Sequence, residues 1–349
     1  SMLVFNIMIV VIAPLVVYWI LPFYRRLNMT TAYEYIEQRF DVWVRWIASS
    51  FFIVFQFARI GIVLYLPAIA LSIVTGFSIH SCILLMGVLS ILYTALGGMT
   101  AVIWTDVLQV FVLLGGALYV LVVIPGQVSG GLSGAVTMAL DADKLSLFDF
   151  HFSLKSPTFW VLAFGGLGNH LIAYGSDQAV IQRYLTTSSE KEAARGIWLA
   201  AAMVIPATLI FLALGSALFV FYQSNPAELA PAMQKPDAIF PWYIVTQLPA
   251  GVKGLLIAGV FAAAMSSLDS SMNSVATAFT TDFYRRIKSG ASDRQCLNVA
   301  RWITVVVGSL AICLALGMAT WEIKSLWDEV IKYVGFFAGG LGGLFLLGM

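Results

Sequence analysis

FAAAMSSLDSSMNSVATAFTTDFYRR (residues 261–286) follows an apolar segment and is stopped by paired arginines. A helix this deep in an apolar chain should be filled with Leu, Ile and Val. This one carries Ser266, Ser267, Asp269, Ser270, Ser271, Asn273, Ser274 and Thr277. At about 100° per residue, Ser266, Ser270, Asn273 and Thr277 share one face, with Ser267, Ser271 and Ser274 beside it. A row of small oxygen-bearing side chains with one carboxylate suits a hard monovalent cation or a tightly packed helix neighbour. It does not suit lipid, so the face must meet protein or a water-filled cavity.

The surrounding composition says that the setting is a bilayer. Of 349 residues, 60% are hydrophobic and 11% charged, against about 25% charged in soluble domains. The apolar runs have helix length and lack the ten-residue alternation of a β-barrel, so the expected class is an all-α integral membrane protein. A net charge of +1 gives no reason to expect nucleic acid. Cys82, Cys296 and Cys313 lack metal-ligand spacing, and no nucleophile-elbow or zinc signature points to an enzyme. The first apolar run is too long for a cleavable signal and runs into a basic loop.

Nine spans are expected, roughly 3–24, 46–74, 78–96, 100–125, 159–184, 192–221, 251–286, 297–319 and 326–348, each near or above the ~20 residues of a bilayer core. With the first running from outside to inside, alternate loops hold Arg25, Arg26, Arg39, Arg45, Arg183, Lys191, Arg195, Arg285, Arg286, Lys288, Arg294 and Arg301. The opposite side holds six lysines, an asymmetry that places the basic loops in the cytoplasm. Residues 30–40 read as a short amphipathic cytoplasmic helix with Thr30 or Thr31 as N-cap. Residues 126–157 read as a long polar outer loop, and the proline-rich 226–250 as another with a short helix around 238–247. The chain begins with Ser1 and stops at Met349 directly after an apolar run, which suggests a piece of a longer protein.

Three further groups of residues within the spans carry chemistry. Arg59 lies about fourteen residues into its span, where an arginine costs about 2.5–3.5 kcal/mol on insertion scales. It reads either as a guanidinium for a substrate carboxylate or as half of an ion pair with Asp106 or Asp269. Asp106, near Asp269 and Ser270, would give a cation site of hard oxygen ligands; otherwise it is a helix-start aspartate favoured by the dipole. Gly165, Gly166 and Gly168, then Asn169, His170, Tyr174, Ser176, Asp177, Gln178, Gln182 and Arg183, interrupt the fifth span, and the glycines suggest a break or a close helix contact there. His170 by itself reads as a hydrogen-bonded packing residue.

GGMTAVIWTDVLQ (97–109), SDQAVIQRYL (176–185) and AAAMSSLDSSMNSVATAFTTDFY (262–284), with AYEYIEQRF (32–40), closely resemble the solute:sodium symporter family, and the likeness spans essentially the whole chain. The resemblance implies a leucine-transporter-type core of ten helices in two inverted repeats, with solute and Na+ at mid-membrane. Nine spans then divide into four helices of the first repeat over 1–125 and the whole second repeat over 159–349, within a single transporter domain 1–349 that lacks the first core helix. By the same resemblance Ala263, through its carbonyl, with Ser266 and Ser267 forms the main sodium site, and Asp106, Asp269 and Ser270 lie where some members hold a second sodium. Asp269 departs from members with a hydroxyl there. The pattern FQFARIGIVLYL (55–66) resembles bacterial sialic-acid symporters, in which the arginine grips the sugar acid. That makes Arg59 the expected anion contact, with Gln56, Tyr174 and Gln178 as cavity or gate residues. The implied activity is sodium-coupled symport of a small organic solute in the cell inner (plasma) membrane. A neutral sugar, polyol or monocarboxylate cargo, or a non-transporting nutrient sensor, is the alternative.

Overall fold

The computed structural model describes residues 2–27, 29–153, 156–229, 238–320, 339–345 and 347–348, with the backbone alone at 97–103, 105 and 106. Its helices in chain order are α1 (Met2–Leu15), α2 (Leu21–Arg26), α3 (Tyr33–Arg39), α4 (Val42–Thr75), α5 (Ile79–Val123), α6 (Gly131–Asp141), α7 (Phe159–Ser176), α8 (Gln178–Leu185), α9 (Glu190–Ser224), α10 (Ile239–Gln247), α11 (Ala250–Ala278), α12 (Arg285–Ile287) and α13 (Asp293–Thr320). Two π-helical pieces, Val16–Ile20 and Phe279–Tyr284, join α1 to α2 and α11 to α12 without a loop.

Seven stretches among the described residues are long and apolar enough to cross a membrane: Met2–Arg26, Val42–Thr75, Ile79–Leu96, Val107–Gln127, Glu190–Ser224, Ala250–Ile287 and Asp293–Thr320. They coincide with seven of the nine expected spans. The expected span 159–184 is the pair α7 and α8, whose glycines, Asn169 and His170 dilute its hydropathy. The expected span 326–348 lies mostly outside the described residues. Helical backbone also runs through residues 97–99, where two spans were expected to part; α5 has 45 residues. A peptide group that loses its helical partner away from water costs several kcal/mol, which favours keeping the ladder closed even through Gly97 and Gly98.

One local expectation is resolved and another needs correction. The glycines of the 159–184 segment were expected to mark a break or a close helix contact; the contact is what Gly166 forms, and the break lies beyond them. It falls at Asp177 (φ −80°, ψ 111°), whose carboxylate accepts from the Ala179 N–H at 2.9 Å and so caps α8. A Cβ on Gly166 would sit 2.7 Å from the Phe5 carbonyl oxygen of α1. Gly166→Ala is therefore expected to cost about 1–3 kcal/mol by forcing α1 and α7 apart. Gly165→Ala, facing open space, should leave the thermal unfolding midpoint of the detergent-solubilised protein unchanged. The correction concerns α3, whose N-cap is Ala32 without a side-chain cap. The Thr30 and Thr31 N–H groups donate to Glu34 Oε1 instead, at 3.1 and 3.0 Å, and the Thr31 hydroxyl is drawn elsewhere.

The remaining caps follow ordinary chemistry. Asp41 accepts from the Val42 N–H (2.6 Å) at the start of α4, Gly76 closes its end at φ 73°, and Ser189 accepts from the Glu192 N–H (3.2 Å) before α9. The outer segment 126–157 contains α6, and the proline-rich one contains α10, close to its expected position. Everything important for the site is arranged about α11, which packs on α5, α4 and α13. Its approach to α5 is close because Leu256 occupies the space a side chain at Gly116 would need.

Candidate ion and solute site

Packing divides the hydroxyl-rich segment of α11 into an inner and an open side. Ser266, Asp269, Ser271 and Ser274 are buried. Ala263, Ser267, Ser270, Asn273 and Thr277 form a half-buried stripe at i, i+4, i+7, i+10 and i+14. The expected face thus turns by roughly one residue, Ser266 going inward and Ser267 outward, because α5, α4 and α13 together cover more of α11 than one neighbour would.

Of the expected main-site residues, Ala263 and Ser267 lie on the stripe, and Ser266 is 9% exposed just inside it. The Ser267 hydroxyl makes no hydrogen bond to a described residue. Carbonyl and hydroxyl oxygens of one helical turn are the donor set a sodium ion takes. Of the expected second-site residues, Asp106 lies outside the residues whose side chains are described, and the other two diverge. Asp269 is fully buried, one oxygen accepting from the Thr94 hydroxyl of α5 and the other without a partner among the described residues. Ser270 faces α8, its oxygen accepting from Arg183 Nη2 at 2.7 Å. Neighbours on a helix point about 100° apart, so one carboxylate and the next hydroxyl serve different partners.

Arg59 is half-buried on α4 and makes no hydrogen bond or ion pair to a described residue. The expected alternative of a pair with Asp269 is therefore not formed. Its charge instead bears on Asp177 at the α7–α8 break. A cavity of about 60 Å³ lies between Phe52 and Phe55 of α4 and Asn169, Ala173 and Asp177; Arg59 is one turn beyond Phe55. Gln56 is fully buried, and both its amide atoms lack partners among the described residues. Tyr174 is half-buried one turn before Asp177, and its carbonyl accepts from the Tyr184 hydroxyl at 2.8 Å. Gln178 is placed differently. Its amide is spent on the backbone ahead of α3, donating to the Thr30 carbonyl (3.0 Å) and accepting from the Ala32 N–H (2.8 Å). His170 packs as expected: its Nε2 lies 3.1 Å from the Phe5 carbonyl, and its ring leans on that of Phe5.

The residue that sequence reasoning passed over is Asp282, in the π-helical continuation of α11. Its fully buried carboxylate accepts from Arg45 Nε (3.0 Å) and Nη2 (2.6 Å), the Thr31 hydroxyl (2.6 Å) and the Ser49 hydroxyl (2.8 Å). Arg45 also reaches Glu37 at 2.7 Å, and Arg286 reaches the same glutamate at 2.5 Å. The segment ahead of α3, the start of α4 and the π-helical end of α11 are thereby tied through one carboxylate. The available signal was an acid three residues before the paired arginines, a position that reads as interfacial without the fold.

These features define a class: a multi-pass helical membrane protein whose central helix carries a polar stripe and whose α4 span carries a guanidinium bonded to no described residue. The model of the sodium:solute symporter family matches residues 1–349, and the chain belongs to that family of sodium-coupled solute transporters; it is not an enzyme. It is 40% identical to the sodium/sialic acid symporter SiaT of Proteus mirabilis, over 97% of this chain and 69% of that one. It is 38% identical to the sodium/sialic acid symporter NanT of Aliivibrio fischeri, over 97% and 67%. A solved substrate-bound, outward-open structure of a Na+-coupled sialic acid symporter superposes with a TM-score of 0.89 at 37% identity, covering 99% of this chain and 72% of that one.

Proposed function

We propose that this chain carries the ion and solute sites of a plasma-membrane symporter that takes a sugar acid such as sialic acid inward with sodium by alternating access between two inverted repeats, 1–125 and 159–349. The observation that carries the reading is a pair of uncommitted polar groups at span depth: the Ser267 hydroxyl and the Arg59 guanidinium. Neither makes a hydrogen bond or ion pair to a described residue, and an unpaired polar group at that depth is costly unless water or a ligand meets it. Sodium would rest on the Ala263 carbonyl and the Ser266 and Ser267 hydroxyls; Arg59 would hold the acid's carboxylate in a charge-assisted pair. Gln56 and Tyr174 are the further cavity contacts; a second cation on Asp106, Asp269 and Ser270 would require Arg183 to leave Ser270 and Asp269 to turn from Thr94. The relatives named above, all described as sialic acid symporters, support the acid over a neutral sugar, which would not need a guanidinium.

Coupling requires each ligand to favour one conformational state over the other. Sodium bound on α11 does so if its remaining ligands come from a helix that moves relative to α11. Each positive charge carried inward gains about 2.3 kcal/mol per 100 mV of membrane potential. The test is uptake of radiolabelled sialic acid by proteoliposomes holding the complete protein, under an inward sodium gradient and with choline in place of sodium. Ser267→Ala is expected to raise the half-saturating sodium concentration at least about tenfold, equivalent to about 1.4 kcal/mol. Uptake that is indifferent to sodium, or a Ser267→Ala curve that overlays the wild type, sinks the assignment.

A further inference from the structure

The half-buried stripe of α11 is roofed at its cytoplasmic end by α8. Gln182 donates to the Thr277 hydroxyl at 3.3 Å, and Arg183 donates to the Ser270 hydroxyl at 2.7 Å. Arg183 is an exposed residue whose guanidinium nevertheless lies on the stripe. Three residues separate Ser270 from Ser267, a rise of about 4.5 Å along the helix. A positive charge that cannot be lost by deprotonation therefore stands about one turn from the hydroxyl on which sodium would rest. It also takes up the oxygen that a second cation would need.

We propose that Arg183 is a resident cation on the ion path: it holds Ser270 from the cytoplasmic side and weakens sodium retention, so that ions leave to the cytoplasm. The inference rests on the sodium reading above and extends it to release. A sodium ion on Ser267 and the guanidinium on Ser270 repel one another, and an ion approaching Ser270 must displace the guanidinium. By linkage, whatever moves α8 away from α11 tightens the sodium site, and whatever seats Arg183 loosens it. The break at Asp177 gives α8 a separate start from α7, so the roof can shift without unwinding the longer helix.

The experiment uses the complete protein and sodium itself as the probe: thermal stabilisation by NaCl against choline chloride in detergent, and sodium titration of uptake in proteoliposomes. Arg183→Gln is expected to lower the half-saturating sodium concentration about tenfold, to slow turnover, and to increase inhibition by sodium inside the vesicle. Arg183→Lys should stay near the wild type. Charge is separated from structure with Arg183→Cys in a Cys313→Ser background, the other two cysteines being buried. Labelling with a trimethylammonium thiosulfonate should restore weak sodium retention, and forming the neutral methyl disulfide with methyl methanethiosulfonate should not. Half-saturation within twofold of wild type in Arg183→Gln, or equal effects of the two labels, overturns the proposal while leaving wild-type sodium coupling intact. Absence of sodium stabilisation in the wild type itself removes both readings.

Discussion

Arg59→Ala should abolish uptake of an acidic solute while leaving the fold as stable as the wild type. Truncating one partner of a desolvated charge pair costs about 2–5 kcal/mol, a loss of affinity between about 30-fold and several thousand-fold. The second half of the prediction is what makes it specific. An arginine that served the fold would be bonded within it, and Arg59 makes no hydrogen bond or ion pair to a described residue. Its electrostatic neighbour Asp177 already has the Ala179 N–H. Arg59→Lys keeps the charge but loses the fork that matches a carboxylate, so an intermediate affinity is expected. The measurements are the solute concentration for half-maximal uptake and the unfolding midpoint of the solubilised protein. A midpoint that collapses together with unchanged solute affinity would make Arg59 a structural partner of Asp177 and remove the acid from the proposed cargo.

Asp282→Ala has the opposite profile, with the fold failing first. The substitution strips four hydrogen bonds from Arg45, Thr31 and Ser49 and leaves the Arg45 guanidinium, whose side chain is 8% exposed, with Glu37 as its main counter-charge. Removing one member of such a buried pair costs about 3–5 kcal/mol, because the remaining charge stays in a medium that cannot solvate it. That is a large share of the stability of any domain. Asp282→Asn keeps the shape and two acceptor lone pairs, so it should be milder. A control is at hand in the exposed Arg285–Asp293 pair, 47% and 96% exposed at the side chains; Asp293→Ala should have no measurable effect on the unfolding midpoint. If Asp282→Ala and Asp293→Ala unfold alike, the Asp282 tie contributes nothing to stability.

The contrast between these two residues shows what could be read in advance. Arg59 is anomalous in sequence: a full charge fourteen residues into an apolar run has few innocent explanations. Asp282 is not anomalous, since an acid near the end of a span beside Arg285 and Arg286 resembles any interfacial residue. Its importance arises only when Arg45, Thr31 and Ser49, more than two hundred residues away, arrive on the same side of it. Gln178 shows the reverse error. The family resemblance suggested a cavity or gate residue, and the backbone ahead of α3 takes both ends of its amide, which leaves it nothing to offer a cavity. A side chain's neighbours in sequence do not say which backbone groups of another segment will lack partners.

The sequence by itself determined the class and the layout: an all-helical membrane chain, the positions of its apolar spans, and the central stretch 261–286 with hydroxyls where lipid-facing residues would be. Those properties follow from hydropathy and helical period, which are local and additive along the chain. Only the tertiary structure decided which face of that stretch is open, that Asp269 turns to Thr94 and Ser270 to Arg183, and that the break in the fifth segment sits at Asp177. Side-chain direction within a helix is fixed to about 100° per residue, so a shift of one residue in how α4, α5 and α13 cover α11 reassigns every polar group on it. Pairwise packing between distant segments sets that rotation, and no window of sequence contains it.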